Sequence, residues 1–106
     1  MADSKSELER KFHQEMLNIY DAAQKLGYRP SHLLSMVSEK GGYEAAKQLI
    51  CSTQPTEGFL KLWELKRLDI TVEAKVLLPE YHDLFTDEER EICRKRLEEY
   101  GHPIQR

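Results

Sequence analysis

Apolar positions along this chain recur mostly at intervals of three and four, the period of an amphipathic helix. Leu8, Phe12, Met16, Ile19, Ala23 and Leu26 form the first such face. Ser6 with Glu9 three residues later reads as a capping box, so the pattern predicts a helix over residues 6–26. Gly27 supplies a left-handed residue to end it, and Pro30 bars its resumption. Ser31 then reads as the cap of a shorter helix from His32 to Lys40, with Leu33, Leu34, Met36 and Val37 turned inward and Gly41-Gly42 closing it.

From Tyr43 the run Glu-Ala-Ala-Lys-Gln-Leu-Ile-Cys is helical again, and Ala45 and Ala46 are small enough to let a neighbouring helix approach closely. Ser52 to Gly58 is polar and carries Pro55, which makes it a loop inside the domain. After it, Phe59, Leu60, Leu62, Trp63 and Leu65 are too densely apolar for a helix with one wet face. The segment Phe59 to Leu78 is therefore expected at the centre of the fold, beginning with its most buried helix. Asp69 reads as a cap for a helix over Ile70 to Leu78, and Pro79 opens a short turn in which Tyr81, Leu84 and Phe85 point inward. Thr86, followed by Asp87, Glu88 and Glu89 and later by Arg94, Lys95 and Arg96, orders its charges as a helix dipole prefers, and Gly101 ends that helix.

These elements predict an all-α fold, a compact single-domain bundle of about five to six short helices with no convincing strand. Residues 1–5 and 102–106 are expected to be loose termini. A chain of 106 residues is long enough for one modest core and too short for two. Its charged fraction of 33% exceeds the usual value of about 25%, which suits a highly solvated helical surface. The net charge of -3 gives no global attraction to nucleic acid or anionic lipid. No run approaches the roughly 18 apolar residues of a membrane helix, and the first residues lack the apolar core of a secretion signal. A cytoplasmic protein without a membrane partner is expected. Cys51 and Cys93 have no second cysteine or histidine at zinc-knuckle spacing and are expected to be reduced.

A search for chemistry assigns no catalytic residue. His13, His32, His82 and His102 fall in four different elements, so no metal site and no cofactor are expected. Gly41-Gly42 lacks the longer glycine loop with the following Lys and Ser or Thr that would cradle a phosphate. No serine sits in a Gly-x-Ser-x-Gly elbow, and the carboxylates fall on helix faces and at helix starts. The spacing of Arg96 and His102 resembles the Arg and His motif of HEPN-type helical ribonucleases, which implies contact of both residues with an RNA backbone. Gly101 and Pro103 put His102 outside the helix.

Two kinds of binding surface follow. Trp63 beside the cations Lys66 and Arg67 has the make-up of an interface hot spot, for an unidentified protein partner or for self-association. Lys66 and Arg67 with Arg94 and Arg96 are the residues a nucleic acid would use, the second choice, because Glu91, Glu98 and Glu99 adjoin the basic cluster and no aromatic platform alternates with it.

Met36-Val37-Ser38-Glu39 through Gly41-Gly42 to Ala45-Ala46, then Leu62-Trp63-Glu64-Leu65, Arg67-Leu68-Asp69 and Thr71-Val72-Glu73-Ala74, and finally Leu84-Phe85-Thr86 and Arg94 to Gly101, resemble a group of small bacterial helical proteins forming a domain of unknown function. The resemblance implies one independent helical domain, found alone or beside nuclease-like and mobile-element domains, with an accessory role. Lys66 and Lys75 stand where that group has small or apolar residues. On this reading the chain is a non-enzymatic interaction module.

Overall fold

In the computed structural model, which describes residues 4–52 and 54–102, the described chain forms six α-helices and two 3-10 turns and contains no strand. The all-α expectation holds. None of the described helices is long and apolar enough to cross a membrane.

Helix α1 (Ser4–Lys25) buries Phe12, Met16, Ile19 and Ala23, spaced by four, three and four. It is helical from Ser4, so Ser6 lies inside the first turn and does not cap. Of the expected loose ends, Ser4 and Lys5 are helical and the His102 amide bonds the Leu97 carbonyl at 2.9 Å; the remainder lies outside the described residues. Gly27, at φ +90°, and the Tyr28 amide bonded to the Ala23 carbonyl at 3.0 Å close α1 as expected. Leu26, expected to face inward, is exposed.

Helix α2 (Ser31–Lys40) buries Met36 and Val37. Its cap position is Pro30, not Ser31, and no side chain bonds its first turn. One residue, Gly41 at φ +86°, separates it from α3 (Gly42–Ile50). Gly42, Ala45 and Ala46 are all buried, and a Cβ built on Gly42 would stand 2.6 Å from the Cα of His13. The Gly42 amide donates to His13 Nδ1 at 2.9 Å. Helices α1 and α3 thus touch backbone to backbone, as the small residues of α3 permit.

Around that contact lies the main core: Phe12, Met16, Ile50, Val76, Tyr81 and Phe85, with Cys93 from the last helix. Phe12 meets Tyr81 and Phe85 edge-on, each at 5.2 Å between ring centres. The Tyr81 hydroxyl donates to Glu15 at 3.2 Å, and Lys75 pairs with the same carboxylate at 3.5 Å. Burial, then the Glu15 charge, pushes the Tyr81 hydroxyl well above its ordinary range.

The segment expected at the centre is elsewhere. Helix α4 (Glu57–Glu64) buries Phe59 and Leu62, leaves Lys61, Trp63 and Glu64 exposed, and feeds two satellite clusters, Ala23–Leu62–Ile70 and Phe59–Leu68–Leu97. Density of apolar residues was misleading because this eight-residue helix packs chiefly on the turn that follows it and buries only Phe59 and Leu62. Beyond it, the expected helix over Ile70 to Leu78 is divided at Thr71. Its hydroxyl donates to the Leu68 carbonyl at 2.7 Å, closing the 3-10 turn Leu68–Ile70, and accepts from the Ala74 amide at 3.2 Å, capping α5 (Val72–Val76). Asp69, the expected cap, is exposed and bonded to Arg67. A second 3-10 turn, Pro79–Leu84, leads to α6 (Asp87–Glu99). Thr86 and Glu89 exchange both bonds of the capping box, at 2.9 and 3.1 Å, as the sequence predicted.

Candidate functional site

Three features stand out: an exposed aromatic edge on α4, a buried ion pair between α5 and α6, and a cavity where α2, α4 and α5 begin.

At the first, Phe59 is buried, Tyr100 half-buried and Trp63 45% exposed. Tyr100 lies edge-on to both, 5.2 Å from Phe59 and 5.3 Å from Trp63, so the indole is braced at an exposed position. Lys66 follows at φ 61°, the only non-glycine positive φ among the described residues. Its amide bonds the Trp63 carbonyl at 3.0 Å and the Arg67 amide bonds the Leu62 carbonyl at 2.8 Å, a Schellman ending of α4 with lysine where glycine is usual. Arg67 is held by Asp69, bonded at 2.9 and 3.0 Å to its two oxygens, an exposed pair that lowers the Asp69 carboxyl below its ordinary range chiefly through that hydrogen bonding. Trp63, Lys66 and Arg67 are thus close along one exposed edge.

The second feature removes residues from the nucleic-acid reading. Arg96 is 7% exposed; its guanidinium donates to Glu73 at 2.9 Å and to the Ser52 carbonyl at 2.8 Å. Arg94 pairs with Glu91 one turn away. Arg96 therefore presents no charge to a phosphate, and the ribonuclease-like pairing of Arg96 with His102 lacks its arginine. The reason is tertiary: Glu73, 2% exposed, would be stranded without it. Burial raises the Glu73 carboxyl, against the opposing pull of the Arg96 hydrogen bond. Cys93 shares this neighbourhood, and burial followed by the Glu73 charge pushes its thiol far up, whereas Cys51 is exposed.

The third feature was not read from the sequence. A cavity of about 300 Å³ lies among Ile19, Leu33, Leu49, Phe59, Leu62 and Val72, with Thr71 and Glu73 also in its wall. Its opening carries the exposed Arg29, Ser31, His32 and Glu57, and the half-buried Tyr28, whose hydroxyl lies near Gly58. Burial, then the Glu57 charge, raises the Tyr28 hydroxyl. No local signal in the sequence marks it, because the convergence of the starts of α2, α4 and α5 depends on how those helices pack.

The described residues contain no group of three or more His, Cys, Asp or Glu side chains that could hold a metal ion. His82 and Asp83, the adjacent His and carboxylate, are both exposed with nitrogen and oxygen 3.4 Å apart.

The geometry defines a small all-α bundle with one braced aromatic edge and one apolar cavity. No family model matches this chain, and no curated protein or solved structure matches it.

Proposed function

We propose that this chain is a non-enzymatic interaction module of a bacterial cytoplasm that grips a protein partner, or a second copy of itself, through Trp63, Lys66 and Arg67. The observation that supports it best is Trp63, 45% exposed yet held edge-on against Tyr100. A braced, half-desolvated tryptophan loses little conformational freedom on binding and still has a large apolar face to bury. Lys66 strengthens the reading, because a β-carbon residue in the left-handed region costs roughly 1 kcal/mol that a glycine would not, and such strain is characteristic of functional positions. The bacterial setting and the accessory role come from the family resemblance alone.

The test compares wild type, Trp63→Ala and, as an exposed apolar control, Leu26→Ala. Light scattering across a concentration series reads self-association. Affinity capture from a bacterial lysate, quantified against both variants, reads a foreign partner. The proposal expects either a concentration-dependent dimer or a specific captured protein, lost in Trp63→Ala and kept in Leu26→Ala. A monomer at every concentration, with the same captured proteins from all three chains, overturns it.

A further inference from the structure

The cavity has a polarity gradient. Its depth is walled by Ile19, Leu49, Phe59, Leu62 and Val72, four of them buried, while the exposed groups cluster at its opening. The space, about 300 Å³, is roughly twice the 150 Å³ that suffices for a benzene ring. It also falls within the range of small-ligand pockets, whose typical lining is apolar with a few oriented polar groups.

Several hydrogen-bonding groups at the opening are donors without a partner among the described residues. The Arg29 guanidinium makes no ion pair, and neither the Tyr28 hydroxyl nor the Ser31 hydroxyl makes a hydrogen bond. The amides of His32 and Leu33 are unbonded as well, since α2 has no side-chain cap and its first backbone bond at this end runs from Leu34 to the Pro30 carbonyl. Two carboxylates face the same space. Glu73 is neutralised by Arg96 and Glu57 stands unpaired at the rim.

From these observations we propose that the cavity binds a small monocarboxylic acid with an apolar body, aliphatic or aromatic. The body fills the space between α1, α3, α4 and α5, and the carboxylate accepts from Arg29, Tyr28 and the free amides opening α2. Glu57 opposes the bound charge and limits affinity. This site is separate from the α4 edge and does not rest on that reading.

The probes are octanoate, 1-octanol and octylamine, which share a chain and differ in head-group charge. Binding is followed by amide chemical shifts of the isotopically labelled full chain, with the affinity fitted to the saturating signals. Octanoate is expected to shift the amides of His32, Leu33 and Gly58 saturably and to bind about tenfold more tightly than 1-octanol, the usual scale of one charge-assisted contact. Arg29→Gln removes that preference and Glu57→Gln increases it.

Gly58→Leu is the occlusion variant. Its Cβ would stand 3.6 Å from the Tyr28 hydroxyl, an ordinary contact, and Gly58 lines the cavity, so the larger side chain is expected to fill the opening. Both octanoate and 1-octanol binding are expected to fall by about tenfold or more in it. No saturable shift with octanoate, tighter binding of octylamine, an increase in octanoate affinity in Arg29→Gln, or unchanged binding in a folded Gly58→Leu each overturns the proposal.

Discussion

Helix α4 with its following turn is denser in apolar residues than helix α1 with α3, yet the two regions are used in opposite ways. The Phe12 ring is fully buried between Tyr81 and Phe85, supported by elements from both halves of the chain. Trp63 has a single braced face and turns the other to water. The contrast teaches that burial follows the number of elements packed around a segment. A helix flanked on several sides hides its large side chains; a terminal one keeps some exposed and available.

The sharpest way to break the comparison is to truncate both rings. Phe12→Ala is expected to cost about 3–5 kcal/mol in chemical denaturation, the range for a fully buried aromatic. Trp63→Ala should cost about 1 kcal/mol, since only part of the indole is removed from water. Equal losses would mean that the α4 edge is a second core.

Next in size is the buried pair. Arg96→Ala leaves Glu73 uncompensated in a dry site and is expected to cost about 3–5 kcal/mol. Thiol labelling gives an independent readout: in the wild type Cys51 reacts at once and Cys93 only on unfolding, because one is exposed and the other buried with its thiol held protonated. In Arg96→Ala, Cys93 should become reactive under native conditions.

The α1–α3 contact is probed by Gly42→Ala, whose methyl would meet the His13 backbone at 2.6 Å. Backbone cannot rotate away as a side chain can, so a loss of about 1–3 kcal/mol is expected from forcing the helices apart. A neutral result would show that the helices slide freely, which the small residues of α3 argue against.

Acid sensitivity should be readable at the start of α6. Burial raises the Glu89 carboxyl, but bonds from Thr86 and Lys47 outweigh it and leave the group below the ordinary glutamate value of 4.5. Its folded form then binds fewer protons than the unfolded chain, so its contribution is complete above that value and fades as pH falls through the folded one. The stability gap between wild type and Glu89→Gln, measured by urea unfolding, should be flat near neutrality and shrink below pH 4.5. Glu73 carries the opposite sign: its raised carboxyl favours the folded state most below 4.5, and that contribution is lost as pH rises through its folded value.

The smallest effect sharpens the comparison at its exposed end. Lys66→Gly relieves the left-handed strain after α4 and is expected to stabilise the fold by up to about 1 kcal/mol. If partner binding weakens in the same variant, stability and contact conflict at that position, as they do at many functional sites.

Much of the fold was legible in order along the chain. The face of α1, the glycine endings at Gly27 and Gly101 and the capping box at Thr86 are all carried by residues a few positions apart. Where local signals competed, the reading failed. Asp69 and Thr71 both resemble caps, and the choice went to Thr71, whose hydroxyl serves a carbonyl behind it and an amide ahead of it. Ser6 and Ser31 look like caps but are not, because the helix had already begun or because Pro30 held the position. At the candidate site, Trp63, Lys66 and Arg67 were visible as a cluster, since they fall within five residues of chain. Arg96 was read as a surface charge, and nothing near it in the sequence indicates a carboxylate 23 positions away.

By itself, then, the amino-acid order determined the helical period, most of the helix ends and the residue types present on the α4 edge, because hydrogen bonding within a helix and at its caps joins positions at most five apart. Tertiary structure alone decided that Glu73 meets Arg96, that Trp63 stays exposed while Phe12 is enclosed, and that three helix starts surround an apolar cavity. Each of those depends on which surfaces come to face one another across the bundle, and that is settled by packing between distant segments.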